Sequence, residues 1–254
     1  MFNKIHITYM VVSALISALV IFIVSRFGKK GNIRAIKFFA LITVLIHYSS
    51  LWVDYFTNGE VLVSPEMLLP IHPCNICMWL LIWASFTMEK EGRIFTVLRE
   101  FVFWGGCVCG FIGILLNTNF DINPTLKDYY VLKGLLSHST MIVGSLIMLT
   151  GGFIKVRVSN FLSVASGLLL FFVTGMTINS LYEYFELPPC NSMYLLKNPF
   201  DNLPWLTTPV IGVVGVLVCF VLSGTYQIIS SIKKRNGISL ANEAADVEMA
   251  ENVN

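Results

Sequence analysis

This chain contains few charged residues. Only 13% of its 254 residues are charged and 56% are hydrophobic, whereas a soluble domain carries about 25% charged residues. The formal net charge is +2, and the lysines and arginines stand in short clusters between apolar runs. This balance excludes an ordinary soluble domain and gives no basic surface for nucleic acid. It predicts a multi-pass protein of the cell membrane.

Other signals are missing as well. The chain shows no internal repeat, no soluble domain and no clear small-residue cleavage site after its first apolar run, so this run is interpreted as a retained helix. Most of the six cysteines lie inside apolar runs, where cysteine usually behaves as a small hydrophobe and not as part of a secreted disulfide framework. No histidine or cysteine spacing typical of a metal site occurs. We therefore predict neither a metal nor a cofactor.

Seven apolar runs approach the roughly 20 residues that a transmembrane helix needs. They lie at residues 9–25, 36–53, 68–86, 95–116, 131–153, 161–184 and 209–232. The sequence therefore predicts an all-α membrane protein with a bundle of seven transmembrane helices over residues 1–236. The polar, acidic segment 237–254 is predicted to be a disordered tail.

The basic residues alternate from one connection to the next. Of the 17 lysines and arginines, thirteen follow the first, third, fifth and seventh runs, and four lie in the other connections or at the N-terminus. Basic residues concentrate on the cytoplasmic side of membrane proteins. This pattern predicts an outside N-terminus and a cytoplasmic C-terminus.

The same orientation places a set of polar side chains in one layer near the outer face. The candidate site residues of this layer are His47, His72, Cys74, Asn75, Asn117, His138, Asn179, Asn191 and Tyr194. Polar groups inside a membrane are costly and are typically functional. The ordinary polarity of outer loops explains His47, His138 and Asn179 poorly, because these three lie within the apolar runs. The layer predicts a site open to the outside or to the outer leaflet.

The start of the third run contains the main candidate for a reactive residue. Pro70 and Pro73 both fit a first helical turn, where proline sacrifices no helical hydrogen bond, so the helix is predicted to begin near Pro70. Cys74 then lies close to a helix N-terminus, where the macrodipole stabilises a thiolate. A nucleophilic cysteine is the functional interpretation of this position.

Two histidines are candidates for the base that accepts the Cys74 proton. His72 is two residues from Cys74 and would face roughly the opposite side of a helix. His138, at similar depth on the fifth run, is the better candidate, and His72 would orient the site or a lipid headgroup. Asn117 or Asn179 would orient the base or donate a hydrogen bond to an oxyanion.

Other interpretations remain open at this point. A lone cysteine or histidine in a span most often serves packing. The C-x-x-C pair Cys74 and Cys77 would suit a membrane thiol–disulfide oxidoreductase, whereas Cys107 and Cys109 lie mid-helix and point to different faces. Zinc bound by His72, Cys74 and His138 lacks any fixed ligand spacing. A seven-helix receptor or transporter is compatible with the topology alone.

Several motifs together resemble one known family. They are Pro70-Ile71-His72-Pro73-Cys74, Leu136-Ser137-His138, Asn179 and Cys190-Asn191-Ser192-Met193-Tyr194-Leu195. In this order they resemble the YwaF-type integral membrane proteins, whose animal relatives form the transmembrane protein 164 group. The resemblance extends from the second to the seventh run. Pro73 departs from the family pattern, in which an aliphatic residue is expected at this position.

The resemblance implies a cysteine-dependent acyltransferase acting on membrane phospholipids. The animal branch moves a polyunsaturated acyl chain from phosphatidylcholine to an ether lysophosphatidylethanolamine. By this resemblance Cys74 would be the nucleophile that accepts the acyl chain and His138 its base, while His72 and Asn191 would be motif residues. The compact loops and short tail fit a bacterial member in the plasma membrane, whose lipid donor and acceptor need not match the animal ones.

Overall fold

The computed structural model describes residues 3–59, 69–117, 125–198, 204–205 and 207–251, and side chains as far as Ile232 with the exception of residue 58. These residues form helices and connections and contain no strand. The α-helices are α1 Lys4–Ser25, α2 Gly28–Asn58, α3 Pro73–Phe86, α4 Arg93–Leu115, α5 Tyr129–Thr150, α6 Asn160–Tyr184 and α7 Thr208–Glu251. A 3-10 turn, Ser192–Tyr194, lies between α6 and α7. The all-α prediction is confirmed for the described chain.

Local sequence explains where several helices begin and end. The Asn3 side chain accepts a hydrogen bond from the His6 N–H and caps α1. The Asp128 side chain accepts from the N–H groups of Tyr130 and Val131 and caps α5. These short polar side chains satisfy N–H groups that have no partner inside the helix. Gly59 ends α2 in the left-handed conformation, with φ of 72°, which glycine adopts without steric cost.

Successive helices run in opposite directions. The α1–α2, α3–α4 and α5–α6 connections line one cavity and therefore share one end of the bundle, which we call the basic end. At the opposite end, the His6 ring near the start of α1 donates to the Ile114 carbonyl near the end of α4, at 2.8 Å. There too, Thr208 at the start of α7 donates to the Tyr194 carbonyl. This alternation brings the start of α3 and the start of α5 to the same end.

Six helices are long and apolar enough to cross a membrane. They are Lys4–Ser25, Gly28–Thr57, Arg93–Leu115, Tyr129–Thr150, Asn160–Tyr184 and the Thr208–Ile232 part of α7. The remaining apolar helix, α3, has 14 residues and measures about 21 Å at about 1.5 Å per residue. A multi-pass membrane protein is therefore confirmed, with six long apolar helices and one short one among the described residues.

Helix α3 begins at Pro73, so the predicted start near Pro70 is wrong by three residues. His72, with φ of −102° and ψ of 150°, is extended and immediately precedes the helix. The residue before a proline is driven out of the helical region by the proline ring. Pro73 therefore fixes both the first residue of α3 and the extended conformation of His72.

Helix α3 lies at the centre of the bundle. Cys77, Leu81 and Ala84 are fully buried and belong to the main hydrophobic core, which α4 and α5 complete with Val102 and Ile147. The start of α3 is thereby held by packing along the whole helix.

The last helix continues beyond the boundary predicted at residue 236. The backbone of α7 is helical as far as Glu251. The segment after residue 240 contains alanine, glutamate and methionine, which are good helix formers. The division of the chain at residue 236 stays a prediction.

Candidate functional site

The extended segment before α3 is held by the α6–α7 loop. We call Leu69–His72 the lead-in segment. The Ile71 carbonyl accepts hydrogen bonds from the Met193 N–H at 2.8 Å and from the Ser192 hydroxyl at 3.3 Å. These contacts join parts of the chain 121 residues apart. The Ile71 carbonyl, which lies outside any helix, thereby has its hydrogen-bond partners.

Met193 anchors the α6–α7 loop in the bundle. Its side chain is 1% exposed and belongs to the main hydrophobic core. A Cβ added at Gly175 of α6 would lie 2.9 Å from the Met193 Cβ, so a glycine at this position gives the methionine its space. The loop therefore fills the interior of the bundle beside the start of α3.

Asn179 on α6 fixes the loop in place. Its Oδ1 accepts from the Ser192 N–H at 2.9 Å and from the Cys190 thiol at 3.6 Å. Its Nδ2 donates to the Ser192 carbonyl at 3.4 Å. The amide that the sequence suggested as a partner of the base is thus engaged with Ser192, and Ser192 in turn holds Ile71.

Asn191 closes the same loop on itself. Its Oδ1 accepts from the N–H groups of Leu196 and Lys197, and its Nδ2 donates to the Lys197 carbonyl at 2.9 Å. Between these contacts, Met193 and Tyr194 have φ of 54° and 57°. The left-handed region costs an ordinary residue about 1–2 kcal/mol, and such conformations concentrate at functional sites. These hydrogen bonds therefore hold the loop in a single backbone conformation.

Tyr194 joins the loop to the lead-in segment. Its ring stacks on His72 with ring centroids 5.3 Å apart and an interplanar angle of 25°. Burial raises the pKa of Tyr194 to about 12, because removal from water disfavours the phenolate. The phenol is therefore neutral at physiological pH. Tyr194 also interacts electrostatically with Cys74.

Cys74 is the second residue of α3 and carries a half-buried free thiol. The thiol donates to Asn75 Oδ1 at 3.4 Å. Its sulfur also lies within reach of the backbone N–H groups of Cys74 and Asn75. Removal from water is the larger effect and opposes a thiolate at this position, and the helix N-terminus offsets part of that cost. The predicted placement of Cys74 at a helix start is confirmed.

His138 is held in one tautomer by its own helix. Its Nδ1 lies 2.7 Å from the Gly134 carbonyl; a carbonyl only accepts, so Nδ1 carries the hydrogen. In the neutral ring Nε2 is then left with a free lone pair, as a base requires. The ring packs on Gly113 of α4, where an added Cβ would overlap it.

Cys74 and His138 are not joined by a hydrogen bond, since the contacts of both side chains in the described chain go elsewhere. His72 connects their surroundings. It interacts electrostatically with His138 and with His47, and its ring stacks on Tyr194. The prediction that His72 faces the opposite side of a helix from Cys74 is wrong, because His72 is extended and precedes α3.

His47 and Asn117 flank His138. The His47 ring contacts Tyr48 edge to face, with ring centroids 5.0 Å apart, and His47 interacts electrostatically with His138. Asn117 is 7% exposed. A Cβ added at Gly134 would lie 3.0 Å from the Asn117 Nδ2. Asn117 therefore lies beside the residue whose carbonyl orients His138.

The sequence analysis missed a polar group between α2 and α5. Tyr130 donates to the buried Asp54 carboxylate, and the Lys133 ammonium donates to Ser50 at 3.3 Å. Lys133 also interacts electrostatically with Asp54 and with His47. Lysine inside an apolar run is a recognisable signal of function, and Lys133 carries this signal in the sequence.

The cysteines pair differently from the C-x-x-C pattern. Cys77 on α3 and Cys109 on α4 have sulfurs 3.9 Å apart, whereas no disulfide occurs and Cys74 is free. Cys77 is fully buried. Within the described part of the chain, no group of three or more His, Cys, Asp or Glu residues could hold a metal ion.

Two cavities lie away from Cys74 and His138. One, of about 540 Å³, is polar and lies at the basic end. The other, of about 530 Å³, follows α1 against α2 and α5 and is lined mainly by apolar side chains. The hydroxyl-bearing residues Tyr9 and Ser139 also line it. Neither lining contains Cys74 or His138.

Comparison with known proteins gives one match. The model of the TMEM164 family matches residues 1–226, which includes all the candidate site residues. No curated protein and no solved structure matches the chain.

Proposed function

The chain belongs to the TMEM164 family, and from this premise we propose that it is a phospholipid acyltransferase with Cys74 as its nucleophile. The observation that carries the proposal is the position of the Cys74 sulfur at the N-terminus of α3, within reach of its own backbone N–H. A thiolate is the reactive form of cysteine, and a helix N-terminus stabilises it. The substrates are glycerophospholipids of the surrounding membrane.

The proposed topology has seven crossings, an outside N-terminus and a cytoplasmic C-terminus in a bacterial plasma membrane. The four residues of the lead-in segment add about 13 Å of extended chain to the roughly 21 Å of α3. Their sum of about 34 Å suffices for a hydrocarbon core of about 30 Å. Non-helical backbone is tolerated at membrane depth where protein surrounds it, and the hydrogen bonds from Ser192 and Met193 support this arrangement.

In the first half-reaction the Cys74 sulfur attacks the ester carbonyl of a donor phospholipid. A carbon–sulfur bond forms, the ester carbon–oxygen bond breaks, and the thiol proton passes through a histidine to the departing lysolipid oxygen. The products are an acyl thioester on Cys74 and a lysophospholipid. The backbone N–H of Cys74 is the proposed donor to the oxyanion, because the Asn75 N–H already donates to the His72 carbonyl.

In the second half-reaction an acceptor lysolipid hydroxyl attacks the thioester. His138 Nε2 takes the hydroxyl proton, a new ester bond forms, the carbon–sulfur bond breaks and the thiol is restored. In this mechanism His138 contacts the substrate hydroxyl and needs no hydrogen bond to Cys74. Its Nδ1 contact with Gly134 supports this role, since it leaves Nε2 as the acceptor. His72 and Tyr194 would position the headgroup beside the sulfur.

The proposal is tested by trapping the acyl-enzyme. Purified protein in liposomes is incubated with phosphatidylcholine that carries a labelled acyl chain, and label bound to protein is measured before and after hydroxylamine, which cleaves thioesters. We expect hydroxylamine-sensitive label on Cys74 and none on Cys74→Ala. Cys107→Ala is the matched control, because Cys107 is also a half-buried free thiol but lies in the middle of α4 and not at a helix start. Label that persists in Cys74→Ala would overturn the proposal.

The contact between Cys77 and Cys109 favours a second candidate, a thiol–disulfide oxidoreductase, but not with the predicted pair. Its reactive pair would be Cys77 and Cys109, at 3.9 Å. Complete burial of Cys77 weighs against it, because thiol–disulfide exchange needs access to the attacked sulfur. Acyl transfer that survives Cys77→Ser separates the two candidates.

A further inference from the structure

The cavity at the basic end is the strongest unassigned site in the described chain. It lies beyond the C-terminal end of α3, about 21 Å from the start of that helix, and has a volume of about 540 Å³. Its walls come from the α1–α2, α3–α4 and α5–α6 connections and from Arg99 on α4. It is therefore separate from the Cys74 site.

The lining of this cavity is rich in charge. Lys29, Lys90 and Arg99 face two carboxylates, Glu89 and Glu91, which leaves one net positive charge. The Arg99 guanidinium donates through Nη1 to the carbonyls of the α3–α4 connection, at 2.9 Å in the case of Lys90. This positive charge is therefore held in a fixed position. An anion that enters the cavity meets two lysines and a positioned arginine.

The start of α2 adds backbone donors to the same wall. The first turn of α2 has no side-chain cap and no acidic residue, so its first N–H groups lack a partner within the helix and carry the positive end of the macrodipole. Gly28 has φ of +65°, and a Cβ added there would meet nothing within 4 Å. The space beside Gly28 is therefore unfilled by protein atoms, and helix N-termini of this kind bind phosphate.

Asn32 is an independent sign of a ligand. Its side chain lies in the cavity wall one turn after Gly28 and is only 4% exposed. Its Oδ1 has no hydrogen-bond partner in the described chain. A buried oxygen without a partner costs about 1–3 kcal/mol. The missing partner is a donor, such as a hydroxyl group.

We propose that this cavity binds the headgroup of an anionic glycerophospholipid that carries a hydroxyl group, of the phosphatidylglycerol type. The phosphate binds the N-terminus of α2, Lys29 and Lys90, and the headgroup hydroxyl donates to Asn32 Oδ1. Basic pockets between transmembrane helices on the cytoplasmic side are suited to anionic headgroups. This site requires no acyl transfer, and only its cytoplasmic location rests on the topology given under the proposed function.

The test is lipid retention by the full chain, measured by native mass spectrometry after extraction into detergent. Phosphatidylglycerol, phosphatidic acid and phosphatidylcholine are added in turn. We expect the double variant Lys29→Ala/Lys90→Ala to bind phosphatidylglycerol about tenfold more weakly than the unmodified chain. The matched control Lys155→Ala/Arg157→Ala removes two exposed basic residues at the same end that do not line the cavity, and it should change binding less than twofold.

Asn32→Leu tests the hydroxyl contact separately. It should abolish the preference for phosphatidylglycerol over phosphatidic acid, which has no headgroup hydroxyl, without abolishing retention of either lipid. Displacement by soluble glycerol phosphate would identify the phosphate ester alone as a sufficient ligand, whereas retention against it would identify the membrane lipid. Equal weakening by the two double variants would overturn the proposal, since binding would then follow surface charge and not the cavity.

Discussion

His72 and Tyr194 stack face to face, with ring centroids 5.3 Å apart, and so join the segment before α3 to the loop between α6 and α7. His72 is extended because Pro73 follows it, and Tyr194 is left-handed, with φ of 57°. An extended residue and a left-handed residue thus meet in one contact beside Cys74. The geometry around the thiol depends on a loop that is remote in sequence.

Tyr194→Ala is expected to reduce acyl transfer more than Tyr194→Phe. Phenylalanine retains the stack on His72 and, because the pKa of Tyr194 is raised to about 12, it replaces a phenol that is neutral in any case. Alanine removes the stack. Transfer rates at pH 7 provide the measurement, and equal rates for the two variants would contradict a role for the stack.

Asn179→Ala is expected to destabilise the α6–α7 loop. It removes the acceptor of the Ser192 N–H at a residue that is fully buried, and an unsatisfied buried group costs about 1–3 kcal/mol. The midpoint of thermal unfolding in detergent should fall, and protease cleavage within residues 190–198 should become faster. Thr177→Ala on the exposed side of the same helix is the control and should leave both measurements near those of the unmodified chain.

The fold class could be predicted because its causes are local in sequence. The apolar runs depend on composition and short spacing, and they located all seven described α-helices approximately. The start of α3 differs from the prediction because Pro70 and Pro73 have different effects. Only Pro73 opens the helix, and its effect on His72 follows from a steric rule that the sequence already contains.

The candidate site could be predicted only in part. The position of Cys74 at a helix start follows from the local sequence. The hydrogen bonds between Ile71 and the 192–193 backbone and side chain span 121 residues, and no pattern of short spacing signals them. The same holds for the contact of Cys77 with Cys109, which lies between two helices.

Mild oxidation is expected to join Cys77 to Cys109 before it joins Cys74 to Cys77. The first pair has sulfurs 3.9 Å apart, and disulfide formation requires close approach of the two sulfurs. Treatment with a copper–phenanthroline catalyst and oxygen, followed by digestion and mass spectrometry, identifies the linked peptides. Cys109→Ser should remove the α3–α4 link. A dominant link between Cys74 and Cys77 would instead favour the C-x-x-C interpretation.

Gly113→Ala separates the proposed base from the proposed nucleophile. A Cβ at Gly113 would overlap the His138 ring, so the ring must leave the position in which Nδ1 bonds to Gly134 and Nε2 is free. General base catalysis contributes about 10²–10⁴-fold, and transfer to the acceptor lysolipid should fall by about 100-fold. Labelling of Cys74 by a thiol-reactive probe should persist, because the substitution lies on α4 and does not touch the start of α3.

Gly215→Ala is the matched control for this variant. Gly215 is also a half-buried helical glycine, but a Cβ added there meets nothing within 4 Å, so the transfer rate should stay near that of the unmodified chain. Both substitutions raise helix propensity by a similar amount, about 1 kcal/mol, and any general effect of alanine cancels between them. If Gly113→Ala transferred acyl chains as fast as Gly215→Ala, His138 would not be the base. The proton would then have to pass through His72, which already lies against Tyr194 beside the thiol.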